Sequence, residues 1–243
     1  MRIALGVLLV VGLASGTAHA GRSYFGWLEG TEVMPERGVE LQTWVFEENE
    51  KYSTHDKDTW LWWGPVIGVT DQLELVLPIE MEWEASDDEK TIFTFRRFGA
   101  GARYRFVSQD PVEAPALVPL VQLTVMRDIQ LRDDVHVEAA GAVSYETGAV
   151  MALAEVGFSG DFQPHNAHSE LHPGAGVSVA VTGELRLGAE VYSEISFDSQ
   201  TESWAAVGPD LSWTHGRFWV TGAFGIGVYN IRTAPRVMWG IAF

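Results

Sequence analysis

The sequence predicts an all-β fold: a closed, antiparallel, up-and-down transmembrane β-barrel of about twelve strands. Three observations predict it. Long segments alternate apolar and polar residues, the connections between them are tight at one end and longer at the other, and the last strand alternates up to a terminal Phe243.

The first residues read as an address. Arg2 gives a short positive region, Ile3 to Leu13 is apolar, and Ala18-His19-Ala20 is a small-x-small cleavage site. This is the pattern of a signal peptide over residues 1–20, and its apolar run is too short to span a membrane as a helix. Residues 21–38 follow, with Tyr24, Phe25 and Trp27 among Glu29, Glu32 and Glu36. They are expected either as a periplasmic tail or tucked into the barrel lumen. Three aromatic side chains favour tucking, because a solvated tail seldom carries them. The barrel occupies residues 39–243.

The strands are read from period two. In Leu73 to Trp83 the odd positions Leu73, Leu75, Leu77, Ile79, Met81 and Trp83 share one face, and Glu74, Glu80 and Glu82 lie on the other. Leu185 to Ile195 repeats the pattern, with Arg186, Glu190 and Glu194 opposite Leu187, Val191 and Ile195. Such segments match the ~9–11 residues that a tilted strand needs to cross a bilayer. The twelve segments run near 39–47, 59–69, 73–84, 92–107, 116–126, 135–146, 149–159, 171–182, 184–197, 203–213, 217–229 and 236–243. Thr70-Asp71-Gln72, Thr147-Gly148, Gly183 and Thr214-His215-Gly216 are tight turns, with a longer connection around Asp110-Pro111. Glu47–Asp58, Ser86–Thr91, Arg127–Asp134 and Gly160–Glu170 are longer, polar loops on the opposite end. That asymmetry implies short periplasmic turns and long extracellular loops in a bacterial outer membrane, and an even strand count puts both termini in the periplasm. Pro65, Pro78, Pro119, Pro173 and Pro209 fall inside these strands, which a closed sheet tolerates only at bulges or strand ends.

Lipid-facing charge is costly, so the polar face is assigned inward. The charged lumen lining is then Glu40, Glu74, Glu80, Glu82, Glu84, Glu138, Glu146, Glu155, Glu184, Glu190, Glu194 and Asp210, with Arg97, Arg103, Arg105, Arg186, Arg217 and Arg236. Only Arg96 is left on the lipid face. Glu80 and Glu82 are expected near Arg97, and Glu74 near Arg103 and Arg105. Tyr104, Phe106, Tyr145, Trp213 and Phe243 at one end, and Trp83, Phe158 and Phe197 at the other, form two interfacial girdles. Small inward residues such as Gly174, Gly176, Ala223 and Gly225 leave space that Trp44, Trp60, Trp62 and Trp219, or water, would fill. Val237, Trp239, Ile241 and Phe243 resemble the C-terminal signal that the barrel-assembly machinery recognises.

With 16 Lys plus Arg against 33 Asp plus Glu, the net charge of −17 excludes non-specific nucleic-acid binding. The absence of cysteine excludes disulfides, thiolate metal sites and thiol nucleophiles. No cofactor is expected. His165, His168 and His172 are weak metal-ligand candidates on a polar loop. His168-Ser169 does not reproduce the spacing of outer-membrane phospholipases, and no base–orienter pair is visible. The pairs Asp87-Asp88 and Asp133-Asp134 have no histidine placed beside them, so an outer-membrane hydrolase is the least favoured reading.

Three stretches carry a resemblance: Glu32-Val-Met-Pro-x-x-Gly-Val-Glu-Leu-Gln-x-Trp44, Gly68-Val-Thr-Asp-Gln-Leu-Glu-Leu75 and Gly99-Ala-Gly-Ala-Arg-Tyr-Arg-Phe106. Over roughly the first half of the chain these resemble the outer-membrane barrels named for the MetA pathway of phenol degradation. The resemblance implies passage of small, often hydrophobic or aromatic molecules, and carries no catalytic residue. The expected function is a narrow pore or uptake channel for small solutes. Its expected partners are outer-membrane lipid, lipopolysaccharide and the assembly machinery. The alternative is a plugged, non-transporting surface barrel whose acidic loops bind cations or partners.

Overall fold

The computed structural model describes residues 23–50, 57–85, 92–109, 115–164, 166–198 and 202–243. The expected signal peptide, Asp87-Asp88 and His165 lie outside the described residues. The strands are β1 Val39–Glu47, β2 Lys57–Gly68, β3 (Leu73–Val76 continued by Ile79–Ala85), β4 Ile92–Arg105, β5 Leu117–Asp128, β6 Val135–Thr147, β7 Val150–Gln163, β8 Asn166–Ala180, β9 Leu185–Ser196, β10 Trp204–His215, β11 Phe218–Tyr229 and β12 Ile231–Ala242. Each pairs antiparallel with its sequence neighbours, and β1 pairs with β12 from Glu40↔Ala242 to Phe46↔Arg236. The sheet therefore closes as a twelve-stranded barrel, with no open edge to present unpaired backbone to lipid.

The strand faces sort by polarity in the opposite sense to a water-soluble protein. Glu40, Gln42, Ser178, Ser212 and Thr221 are buried, while Leu123, Val156 and Ile226 on the outward face are more than half exposed. Apolar side chains outside and polar ones inside are what a hydrocarbon solvent selects. Tyr104, Phe106, Tyr145, Trp213 and Phe243 point outward at the end where β1 begins and Phe243 lies, and Phe197 points outward at the opposite end.

The prolines sit where the ladder can spare a donor. Pairing of β2 with β3 stops between Trp63↔Ile79 and Val66↔Val76, and Pro65 and Pro78 share that gap. Pro173 lies in a gap of the β8–β9 ladder and Pro209 in a gap of the β10–β11 ladder. Pro119 lies at the end of β5 just past the last β4 pair, Arg105↔Leu120, and its carbonyl still accepts from the Phe106 N–H at 3.0 Å. Each missing N–H thus falls at an interruption or an end.

Four expectations need correction. Glu80 pairs with Arg97 but Met81 pairs with Phe95, so Arg96 is the extra residue of a β-bulge. The bulge turns Arg96 away from the lipid face, and its Nε lies 3.2 Å from the Glu82 carboxylate. Arg217, in the tight turn after β10, and Glu184, in the turn before β9, are exposed and do not line the lumen. The expected long loop over 160–170 is a tight hairpin, because β7 continues to Gln163 and β8 begins at Asn166. Polar residues there mimic a loop, yet lumen-facing strand positions demand polar side chains. The connection before β12 likewise shrinks to Asn230, which adopts a φ of 48°. At the other end Gly148 and Gly216 take φ values of 58° and 59°, which their two tight turns require.

Leu123 lies in the middle of β5 and points outward. Leu123→Arg is expected to destabilise the barrel by ~2–4 kcal/mol, read from denaturant unfolding in lipid vesicles.

Candidate functional site

Residues 23–35 run inside the barrel, and Glu36 and Arg37 are exposed where the segment turns into β1. Phe25, Leu28 and Met34 are fully buried, and Trp27, Thr31 and Val33 nearly so. The wall has room for them because its lumen-facing residues there are small. A Cβ on Gly176 would come within 2.6 Å of the Phe25 ring, and one on Gly174 would collide with Leu28. Conversely, a Cβ on Gly26 would collide with Ala223. The space that sequence assigned to tryptophans or water is filled by the chain's own N-terminal segment.

Polar contacts fix this plug along its length. The Glu190 carboxylate accepts from three successive backbone amides, Gly26 at 2.9 Å, Trp27 at 2.9 Å and Leu28 at 3.1 Å. Charge-assisted bonds of this kind contribute about 1.5–3 kcal/mol each when buried. Glu155 accepts from the Glu29 amide at 3.0 Å, and Glu74 from the Met34 amide. Arg103 donates to the Glu29 and Gly30 carbonyls at 3.1 and 2.9 Å while pairing with Glu74 at 2.9 Å. Arg105 pairs with Glu32 at 3.1 Å. Ser212 and Thr221 donate to the Ser23 carbonyl at 3.2 and 2.6 Å. The Trp27 indole donates to the Ala234 carbonyl at 3.0 Å, beneath the Arg236 guanidinium, which lies 5.2 Å from the ring centre.

Above the plug is a cavity of about 170 Å³. Trp27 and Glu29 form its floor, and it reaches Glu48 beyond the loop end of β1. Seven carboxylates line it, namely Glu29, Glu48, Glu74, Glu80, Glu138, Glu155 and Glu194, against Arg103, Arg236 and His172. Trp44, Phe46, Trp62 and Tyr192 add aromatic faces, with Trp44 and Trp62 stacked at 4.8 Å. The cavity therefore offers negative charge and π-faces together, which suits a cation with an apolar body.

The remaining sequence-assigned residues fall around these two features. Arg97 bridges Glu80 at 3.1 Å and Asp161 at 2.9 Å. His136 bridges the same Asp161 at 2.8 Å and Glu138 at 3.1 Å. Arg186 donates to Ser178 at 3.1 Å and stacks over Tyr24 at 4.5 Å. Asp210 is buried beside Gly188, with both oxygens lacking a hydrogen-bond partner among the described residues. Val237, Trp239, Ile241 and Phe243 share the outward face of β12, and the Phe243 amide donates to the Val39 carbonyl at 2.8 Å, sealing the closure.

His168 and His172 are both strand residues, because β8 begins at Asn166 rather than near residue 171. His168 is held between Asp198 and Glu170, the latter at 2.9 Å. His172 meets Tyr192 Oη at 2.7 Å through Nδ1 and Ser159 Oγ at 3.1 Å through Nε2. His168 and Ser169 are consecutive in a strand and so point to opposite faces, which rules them out as a base and nucleophile pair. Sequence reasoning passed over Gln42, Asp161, Ser159 and Tyr192. All four share the inward parity of a charged neighbour, and that parity was the available signal.

No family model matches the chain, and no curated protein matches it. Solved structures do. An outer membrane channel from Pseudomonas putida F1 aligns with a TM-score of 0.58 and 10% identity, over 89% of this chain and 99% of that one. The translocator domain of the autotransporter NalP from Neisseria meningitidis aligns at 0.52 and 10%, over 85% and 88%. The CymD monoaromatic hydrocarbon channel aligns at 0.50 and 7%, over 86% and 89%. The chain has the fold of an outer-membrane β-barrel. At these identities the likeness speaks to fold alone, since channels and translocators share it.

The plug contacts generate a direct prediction. Glu190→Gln replaces an acceptor oxygen with an NH₂ group that faces amide donors. In a Leu28→Cys background, maleimide labelling should accelerate at least about tenfold on adding Glu190→Gln, the effect of losing roughly 1.5 kcal/mol of docking.

Proposed function

We propose that the protein is an outer-membrane channel for small cationic or neutral solutes, entered from the loop end and gated by residues 23–38. In this reading the loops face the cell exterior and the termini face the periplasm. The lumen cavity carries the proposal: seven carboxylates against two guanidinium groups, with its floor made by the plug. Field lines confined in a narrow, low-dielectric passage favour cations over anions. Aromatic faces beside the carboxylates favour amines with an apolar body over strongly hydrated ions. The C-terminal strand is proposed as the segment read by the assembly machinery. Passage rather than catalysis is the proposed activity.

The depth of the plug's attachment favours a second reading, a permanently closed surface barrel. A locked plug separates the two. Thr31 Oγ1 and Ser144 Oγ are hydrogen-bonded across the plug–wall boundary, and the chain has no native cysteine. In Thr31→Cys/Ser144→Cys, planar-bilayer recordings should show cation-selective openings after reduction and several-fold fewer after oxidation. Silence in both states supports the closed barrel. Anion-selective openings contradict the lumen assignment.

A further inference from the structure

The loop-end lumen holds a group of side chains whose arrangement the channel reading does not use. Glu170 and His172 lie two residues apart on β8, on its inward face. Glu194 lies across from His172 on β9, at the place where Pro173 interrupts the ladder. One ligand atom from each of the three lies within 4.8 Å of the other two. His172 Nε2 is 3.6 Å from Glu170 Oε2, and His172 Nδ1 is 4.0 Å from Glu194 Oε1.

Each of the three also has a neighbour that holds it in place. Glu170 Oε1 is engaged by His168, whose other nitrogen is held by Asp198. Glu194 Oε2 accepts from the Trp204 indole at 3.1 Å. His172 Nδ1 meets the Tyr192 hydroxyl at 2.7 Å, so Nδ1–H donating there leaves a lone pair on Nε2. Glu170 Oε2, Glu194 Oε1 and His172 Nε2 remain for a shared ligand, with the Ser159 hydroxyl at 3.1 Å from Nε2 holding the imidazole in place meanwhile. Orientation of ligands by outer partners is the usual construction of a metal site. An ordinary salt-bridge network explains the group less well. No guanidinium or ammonium is bonded to any of the three among the described residues.

We propose that Glu170, His172 and Glu194 bind a borderline divalent transition-metal ion, with Zn²⁺ as the representative, at the loop end of the lumen. Imidazole selects such ions over Ca²⁺ and Mg²⁺, which take all-oxygen sites. Three protein ligands leave a coordination position open to the cavity, because His172 and Glu194 line it. The 3.6 Å between His172 Nε2 and Glu170 Oε2 matches two donors at about 2.0–2.2 Å from a tetrahedral ion. Glu194 closes the remaining distance by rotating its carboxylate.

The test is zinc titration of the folded, detergent-solubilised barrel by calorimetry, with folding verified by heat-modifiable electrophoretic mobility. One Zn²⁺ per chain should bind, and excess Ca²⁺ should fail to displace it. His172→Gln and Glu194→Gln should each weaken binding on the order of 100-fold, and His168→Gln by about 10–100-fold through its hold on Glu170. His215→Gln, at the exposed turn of the opposite end, should leave binding unchanged. X-ray absorption should report nitrogen and oxygen donors only, including one imidazole. Absent zinc binding, calcium displacing zinc at parity, or unchanged affinity in a folded His172→Gln/Glu194→Gln variant would each overturn the proposal. The measurement needs no conduction, so a silent barrel that binds zinc retains this inference while losing the channel reading.

Discussion

A bilayer removes water from the outside of the sheet, and the rest of this molecule depends on that one constraint. Backbone donors and acceptors must pair within the sheet, so β1 meets β12 and the barrel closes. Apolar side chains go outward, and the polar ones are left facing one another inside. Charges buried in that interior must find partners or carry a desolvation cost of several kcal/mol per ion. The lumen is therefore organised by pairing: Glu80 with Arg97, Glu74 with Arg103, Glu82 with the bulged Arg96.

The wall alone does not complete this pairing. Among the described residues no arginine is bonded to Glu190, which instead holds three consecutive amides of the N-terminal segment. Arg105 finds Glu32, and Arg103 caps two plug carbonyls. The plug is thus a partner for wall charges as much as an apolar filling for the glycine-lined side. Closure at one end leaves the cavity at the other, and the excess carboxylates gather there. The proposed channel and the proposed metal site both draw on that excess, and Glu194 and His172 belong to both.

Much of this was legible from period two. Parity in Leu73 to Trp83 and Leu185 to Ile195 marked both faces, because a bilayer-spanning strand shows its inside and outside at alternate residues. The three aromatics of residues 21–38 pointed to tucking. What parity hides is a change of phase: the bulge at Arg96 looks like one residue on the wrong face. It also hides strand ends in polar stretches, so His168 reads as a loop residue when it belongs to β8. Glu194 could not be joined to Glu170 and His172 from sequence, since that contact needs the β8–β9 register. The proline positions read as an objection until the ladder showed its gaps.

The central claim is that residues 23–35 are docked in the lumen and held by wall carboxylates. Hydrogen exchange of the folded barrel in detergent micelles tests it most directly. The amides of Gly26, Trp27 and Leu28 are predicted to exchange as slowly as those of the neighbouring strands β8 to β11. Exchange at the rate of an unstructured peptide would contradict the account.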